Sequence, residues 1–355
     1  MGSGVWSTDV YDAARSYRAA TGASAFAYSE SGAVSTHPDL DPHGVAFRES
    51  RDSDEHPDSL AIAVLFDVTG SMGTVPRVLQ TKLPNLLGLL IRKGYVEHPQ
   101  IMFGAVGDAT CDRAPLQIGQ FESDNRMDDD LGKILLEGGG GGQMTESYEL
   151  AMYFMARHTS IDCFEKRGRR GYLFMIGDEF AYPKVDRKLV SKVIGDRIGE
   201  NIRTEDIVAE LRRMYEVYFI IPEGGYHSGD SRLRDYWRRL LGQHVLFLDD
   251  LDAVCETIAL TIGLSEEAIN LSEGLEHLEE VGSDAGSSVA RALAGLDTRR
   301  DTARGAAKEG SGPAPNGHSS DGRTANGRPM SGPTAGRPTR PALDRARREG
   351  HTRLR

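Results

Sequence analysis

The chain has 355 residues, enough for one large domain or two small ones with a sizeable core. Its formal net charge is -11, but residues 281–355 hold 14 Lys+Arg against 7 Asp+Glu, so a tail of +7 follows a body of -18. An acidic body argues against a general binder of nucleic acid or anionic membranes, because phosphates attract clustered Lys and Arg.

No apolar stretch approaches the roughly 20 residues that span a bilayer. The opening MGSGVWSTDVYDAARSYRAA lacks the charged start and apolar core of a signal peptide. Cys111, Cys163 and Cys255 are scattered, odd in number and without ligand spacing. These features lead us to expect a soluble, cytoplasmic protein with no disulfide.

In chain order, residues 1–57 read as a polar extension with one helix in STDVYDAARSYRAATG. Ser7, Thr8 or Asp9 caps it, Val10, Ala13, Ala14 and Tyr17 form its apolar stripe, and Gly22 ends it. Six strand-like runs follow, at 60–66, 101–107, 115–121, 171–177, 216–222 and 244–250. Four are near-continuously hydrophobic, as parallel strands covered on both faces are. Helical patterns separate most of them, while PLQIGQF follows IMFGAVG after a short polar link, as an antiparallel edge hairpin would. The alternation predicts one doubly wound, mostly parallel α/β domain over 58–265 with one antiparallel edge strand. A helical extension, 266–280, leads to residues 281–355, whose Gly, Pro, Ser, Ala and Arg cannot bury enough apolar surface to fold.

In open α/β sheets, ligands bind beyond the carboxyl ends of the strands. The first run ends in DVTGSMG, placing Asp67, Thr69 and Ser71 at alternate positions with Gly70 and Gly73 allowing a tight turn. Asp108 follows the second run, and Asp178 and Glu179 follow the fourth. Between them EGGGGGQMTESYELAMYF brings a glycine run, 138–142, onto a helix beginning near Thr145, Glu146 and Ser147. This donor set is all oxygen, with no His or Cys, and suits a hard divalent cation such as Mg2+ or Mn2+.

On these residues the chain resembles a von Willebrand factor A (vWA) domain over roughly 58–265. DVTGSM is similar to the family's Asp-x-Ser/Thr-x-Ser signature of the metal-ion-dependent adhesion site, and Asp178 matches the aspartate after its fourth strand. The family usually adds a threonine from the second loop. Counting back from Ala151 puts Glu146 rather than Thr145 at that place, as in a subgroup reading Gly-Gly-x-x-Pro-Glu-Ser, whose further aspartate Asp108 matches. The resemblance implies Mg2+ or Mn2+ held by Asp67, Thr69, Ser71 and Asp178 with Thr145 or Glu146, in a non-enzymatic domain. It also implies a partner protein whose acidic group completes the coordination, an AAA-type ATPase being the kind of partner that intracellular bacterial members have.

Plainer readings stand beside these. Asp, Thr and Ser together also cap helices, Asp108 fits a turn, Glu179 and Tyr182 fit a plain loop, and the glycine run fits a hinge. That run lacks the Gly-Lys-Ser/Thr ending of a P-loop. His98, His158 and His227 have no pairing in sequence and read as structural or exposed. The enzymatic alternative is a metal-dependent phosphoester hydrolase using the same carboxylates. Against the dehalogenase-type pattern, Thr69 stands where a second aspartate would be the general acid, a role it cannot fill.

Overall fold

The structure is a computed structural model that describes residues 4–138, 144–225 and 227–296, without the side chain of Ser71. Residues 139–142 of the glycine run and the tail from 297 onward lie outside the described residues.

Six strands build the central sheet: β1 (Leu60–Asp67), β2 (Pro99–Val106), β3 (Leu116–Ile118), β4 (Gly171–Ile176), β5 (Tyr215–Pro222) and β6 (Val245–Leu248). Their spatial order is β6-β5-β4-β1-β2-β3. All pairs are parallel except β2 with β3, where Gly104 faces Ile118 in the antiparallel hairpin expected at that edge. Every residue of β1, β2 and β4 is buried, which is why these strands read as unbroken apolar runs. Helices cover the sheet in two layers. One joins α2 (Val75–Leu87) to α6 (Val254–Ser265), and the other joins α3 (Tyr148–Arg157) to α4 (Thr204–Leu211). The result is the doubly wound α/β fold that the alternation of runs predicts.

The flanks are more integrated than their composition suggests. Helix α1 (Thr8–Thr21) is capped by Ser7, whose Oγ accepts from the Val10 amide, and ends at Gly22 with a left-handed φ of 70°. Its buried face differs from the expected stripe. Tyr11 is buried and donates to the Gln80 carbonyl of α2 at 2.8 Å, while Val10 and Tyr17 stay exposed. Arg18, two turns beyond Tyr11, pairs with Asp128 at 3.2 Å, so polar anchors set the rotation of this helix.

Strand Arg48–Ser50 pairs in parallel with Thr159–Ile161, adding order to the 1–57 extension. At the other end, α7 (Leu271–Glu280) starts with a reciprocal Asn270/Glu273 capping box. It is followed by α8 (Gly286–Leu293), which packs on α6, α7 and β6 with Val289 and Leu293 buried. The folded body therefore runs past residue 281, where composition places the start of the tail.

An ionic network fastens the segment before β1. Asp52 accepts from Arg167 at 2.8 Å, Lys166 at 3.1 Å and the Ser59 hydroxyl at 2.8 Å, while its amide donates to Asp162. Burial alone raises its pKa, but these hydrogen bonds outweigh burial and hold the carboxyl below its ordinary value. A lowered folded-state pKa gives stability that is present above the unfolded value and is lost as pH falls. Asp52→Asn is expected to destabilise the protein at pH 7 by about 1–3 kcal/mol. In urea unfolding, that difference should narrow below about pH 4.

A candidate metal centre at the switch point

Strands β1 and β4 are neighbours, with Phe66 opposite Ile176. The chain leaves β1 for β2 on one side and β4 for β5 on the other, so their carboxyl ends flank a topological switch point, where such sheets open a crevice. Asp67 is the last residue of β1, and Asp178 follows β4 after Gly177. A third segment joins them because Thr145–Glu146 pairs in parallel with Phe180–Ala181, just beyond Asp178.

Asp67 is completely buried. Its Oδ1 accepts from the Thr69 amide and lies the same 2.7 Å from the Thr69 hydroxyl, while Tyr148 donates to Oδ2 at 3.2 Å. The Thr69 hydroxyl is also 3.0 Å from Glu146 Oε1. A hydroxyl has one proton to donate, so Thr69 cannot donate to both carboxylates. With Glu146 protonated the chain closes, Glu146 donating to Thr69 and Thr69 to Asp67. Burial, then the charges of Asp67, Glu179 and Asp112, push the Glu146 pKa far up. Burial and the Asp178 charge likewise raise Asp67. Glu179, raised chiefly by burial and then by Asp67 and Asp178, reaches about 8.

Among the described residues, Glu146 Oε2 and Glu179 Oε2 are buried without hydrogen-bond partners. Among the described residues, no Lys, Arg or His pairs with Asp67, Glu146, Asp178 or Glu179 in a salt bridge. Such a cluster is short of positive charge. Hard oxygens, a buried orphan oxygen and protons forced onto acids all fit a divalent cation. Among the described residues, however, no three His, Cys, Asp or Glu side chains are grouped as a set able to hold a metal ion. Asp67, Thr69 and Glu146 are in direct contact, whereas Asp178 is held on its own side, accepting from the His227 amide at 3.0 Å.

The remaining expected residues divide by position. Gly70 takes a left-handed φ of 45° at the turn after β1. Thr145 is half-buried opposite Phe180, and it is Glu146 that reaches Thr69. Asp108 accepts from the Thr110 amide and from Tyr182 at 3.1 Å, and Ser147 accepts from the Ala109 amide at 2.9 Å. The Ala109–Ser147 contact laces the loop after β2 to the segment carrying Glu146, and the Tyr182–Asp108 contact laces it to the segment after β4. The side chain of Ser71 lies outside what the structure describes.

Sequence reading missed Tyr148, Gly177 and Gly225. A Cβ on Gly177 would collide with the Tyr148 hydroxyl, and one on Gly225 would collide with Asp178 Oδ2, so a larger residue at either position would push that side chain aside. Tyr148 is fully buried, edge-on to Phe219 and Trp237, and Trp237 donates to the Glu179 carbonyl at 2.9 Å. The Gly-Gly pair after EVYFIIP was the one available signal for the loop against Asp178.

No protein-family model matches the chain, and no curated protein matches it. Among solved structures it is similar to the pilus adhesin SpaC from Lactobacillus rhamnosus GG in its open conformation. The identity is 10%, over 61% of this chain and 31% of that one, with a TM-score of 0.40. It is also similar to proximal thread matrix protein 1 from the mussel byssus, at 11% identity over 63% of this chain and 46% of that one, with a TM-score of 0.35. The chain thus spans less than half the length of either.

The raised carboxyl pKa values have a signed consequence. Each group ionises in the unfolded chain before it does so in the folded one, so stability is lost as pH rises above the ordinary carboxylate range. The metal-free protein should lose thermal stability between about pH 5 and 8. Glu146→Gln, which keeps a hydrogen-bonding group facing Thr69 without a titrating acid, should flatten that decline and raise the metal-free Tm at pH 8. Melting curves of the chelator-treated proteins across this range measure both effects.

Proposed function

We propose that this domain binds one Mg2+ or Mn2+ at the ends of β1 and β4 and uses it to engage a partner protein, as a vWA-type interaction domain. The observation that carries the reading is the Asp67–Thr69–Glu146 contact, in which buried acids share too few protons and Glu146 Oε2 has no partner among the described residues. Asp67, Thr69 and Glu146 would hold the ion on one side and Asp178 on the other, with Ser71 as the further hydroxyl donor of the DVTGSM turn. When bound, the ion supplies a Lewis-acidic position that a carboxylate can occupy.

The chain's own groups set the terms of that binding. Tyr148 orients Asp67 through Oδ2, and the Gly225–His227 loop orients Asp178. Glu146 in place of a neutral threonine adds negative charge, which strengthens the hold on the cation and weakens its pull on an incoming acid. A partner therefore has to bring contacts beyond one carboxylate. An AAA-type ATPase is the partner class this proposal takes from the vWA resemblance.

Saturating Mg2+ or Mn2+ at 100 times the dissociation constant is expected to stabilise the fold by about 2.7 kcal/mol. For a body of this size that is about 4–5 °C in Tm. Asp67→Ala combined with Asp178→Ala should abolish the shift. Equal stabilisation of wild type and double variant would mean that the ion binds elsewhere. Metal-dependent turnover of p-nitrophenyl phosphate, lost in Asp67→Asn, would favour the hydrolase over the interaction domain.

A further inference from the structure

At the opposite end of the sheet, two histidines meet just before the first residues of β1 and β2. Eight-residue strands place them about 25 Å from the acidic crevice. His56 Nδ1 lies 3.3 Å from His98 Nδ1, with the rings 5.4 Å apart and crossed at 73°. His56 is buried, and its Nε2 stands 2.7 Å from the Gly4 carbonyl. A carbonyl only accepts, so His56 keeps its proton on Nε2 and turns the lone pair of Nδ1 toward His98. The Gly4 carbonyl is itself fixed by the Ser123 hydroxyl at 2.8 Å, and the Gly4 amide donates to Glu55 at 2.8 Å.

Two features of this pair match metal ligation. A tetrahedral ion with metal–nitrogen bonds of about 2.0–2.1 Å has ligand-to-ligand edges of about 3.3–3.4 Å, the separation found here. The same 3.3 Å separation also accommodates an Nδ1–H···Nδ1 hydrogen bond between the rings, which a bound ion would replace. Histidines that ligate metals also commonly donate their other ring N–H to a backbone carbonyl, which fixes the tautomer that ligates. His56 and Gly4 have that arrangement.

We propose that His56 and His98 form a two-imidazole clip for a borderline transition-metal ion, Zn2+ or Ni2+, separate from the hard-oxygen crevice. Imidazole favours such ions over Mg2+. Among the described residues no third His, Cys, Asp or Glu completes a group there, so water fills the other positions and the site is open. Binding takes the Nδ1 lone pairs of both rings, and any proton on His98 Nδ1 is released to solvent. The ion then ties the Gly4 segment, through His56, to the start of β2.

The test is calorimetric titration of the untagged, chelator-stripped chain with Zn2+ in saturating Mg2+. The clip predicts one Zn2+ per chain, bound at least tenfold more weakly by both His98→Ala and His98→Gln, and unchanged in Asp67→Ala/Asp178→Ala. His98→Gln keeps a polar group toward His56, and near-wild-type melting of that variant separates lost ligation from lost folding. No Zn2+ binding by the wild type would overturn the proposal. So would undiminished binding by both His98 variants, since the chain's other histidines would then hold the ion, or loss of Zn2+ in the Asp67/Asp178 double variant.

Discussion

The structure depends on a costly placement: carboxylates buried where an apolar sheet opens, with no cationic side chain among the described residues paired to them. Taking one charge out of water costs several kcal/mol even after a protein relaxes around it. Asp67 and Glu146 reduce that cost by sharing protons through Thr69. Asp178 reduces it by accepting a backbone amide from a loop whose glycine leaves it room. Neither arrangement supplies a cation.

The fold explains why the acids are there. β1 and β4 run side by side, fully buried, and their connections diverge at the carboxyl ends. No neighbouring helix can fill the gap between diverging connections, so polar groups at those ends face one another. Tyr148, braced by Phe219 and Trp237, forms the floor under Asp67. Trp237 in turn holds the Glu179 carbonyl, so the loop after β4 is clamped to α5 (Ser231–Leu241) behind it. Rigid packing below and charge shortage above are what a preorganised ion site requires.

Much of this was legible in the residues. Strands buried on both faces must be apolar throughout, so β1, β2, β4 and β5 stood out, and the polar residues ending β1 and following β4, Asp67 and Asp178, stood at the switch point. Counting back from Ala151 put Glu146 at the place of the family's threonine but left both Thr145 and Glu146 open as the loop's contribution; in the structure Glu146 is the residue that meets Thr69. Tyr148 was harder to see, because an aromatic beside a helix start looks like core until its hydroxyl is placed against an aspartate 81 residues earlier. The rotation of α1 was not legible either. Its apolar stripe is weak, and one tyrosine hydroxyl and one Arg18–Asp128 pair decide which side faces inward. Helix α8 hid in a composition of Ser, Ala and Gly that resembles the tail beyond it, and only Val289 and Leu293 mark it as core.

The central claim is that one divalent cation resolves the charge shortage between Asp67, Glu146 and Asp178. Mn2+ titration followed by electron paramagnetic resonance tests it directly, because the sharp signal of the aquo ion disappears on binding. The account predicts loss of signal up to one Mn2+ per chain for the wild type, and an undiminished aquo signal for the Asp67→Ala/Asp178→Ala variant. A signal that falls equally for both proteins, or for neither, would contradict it.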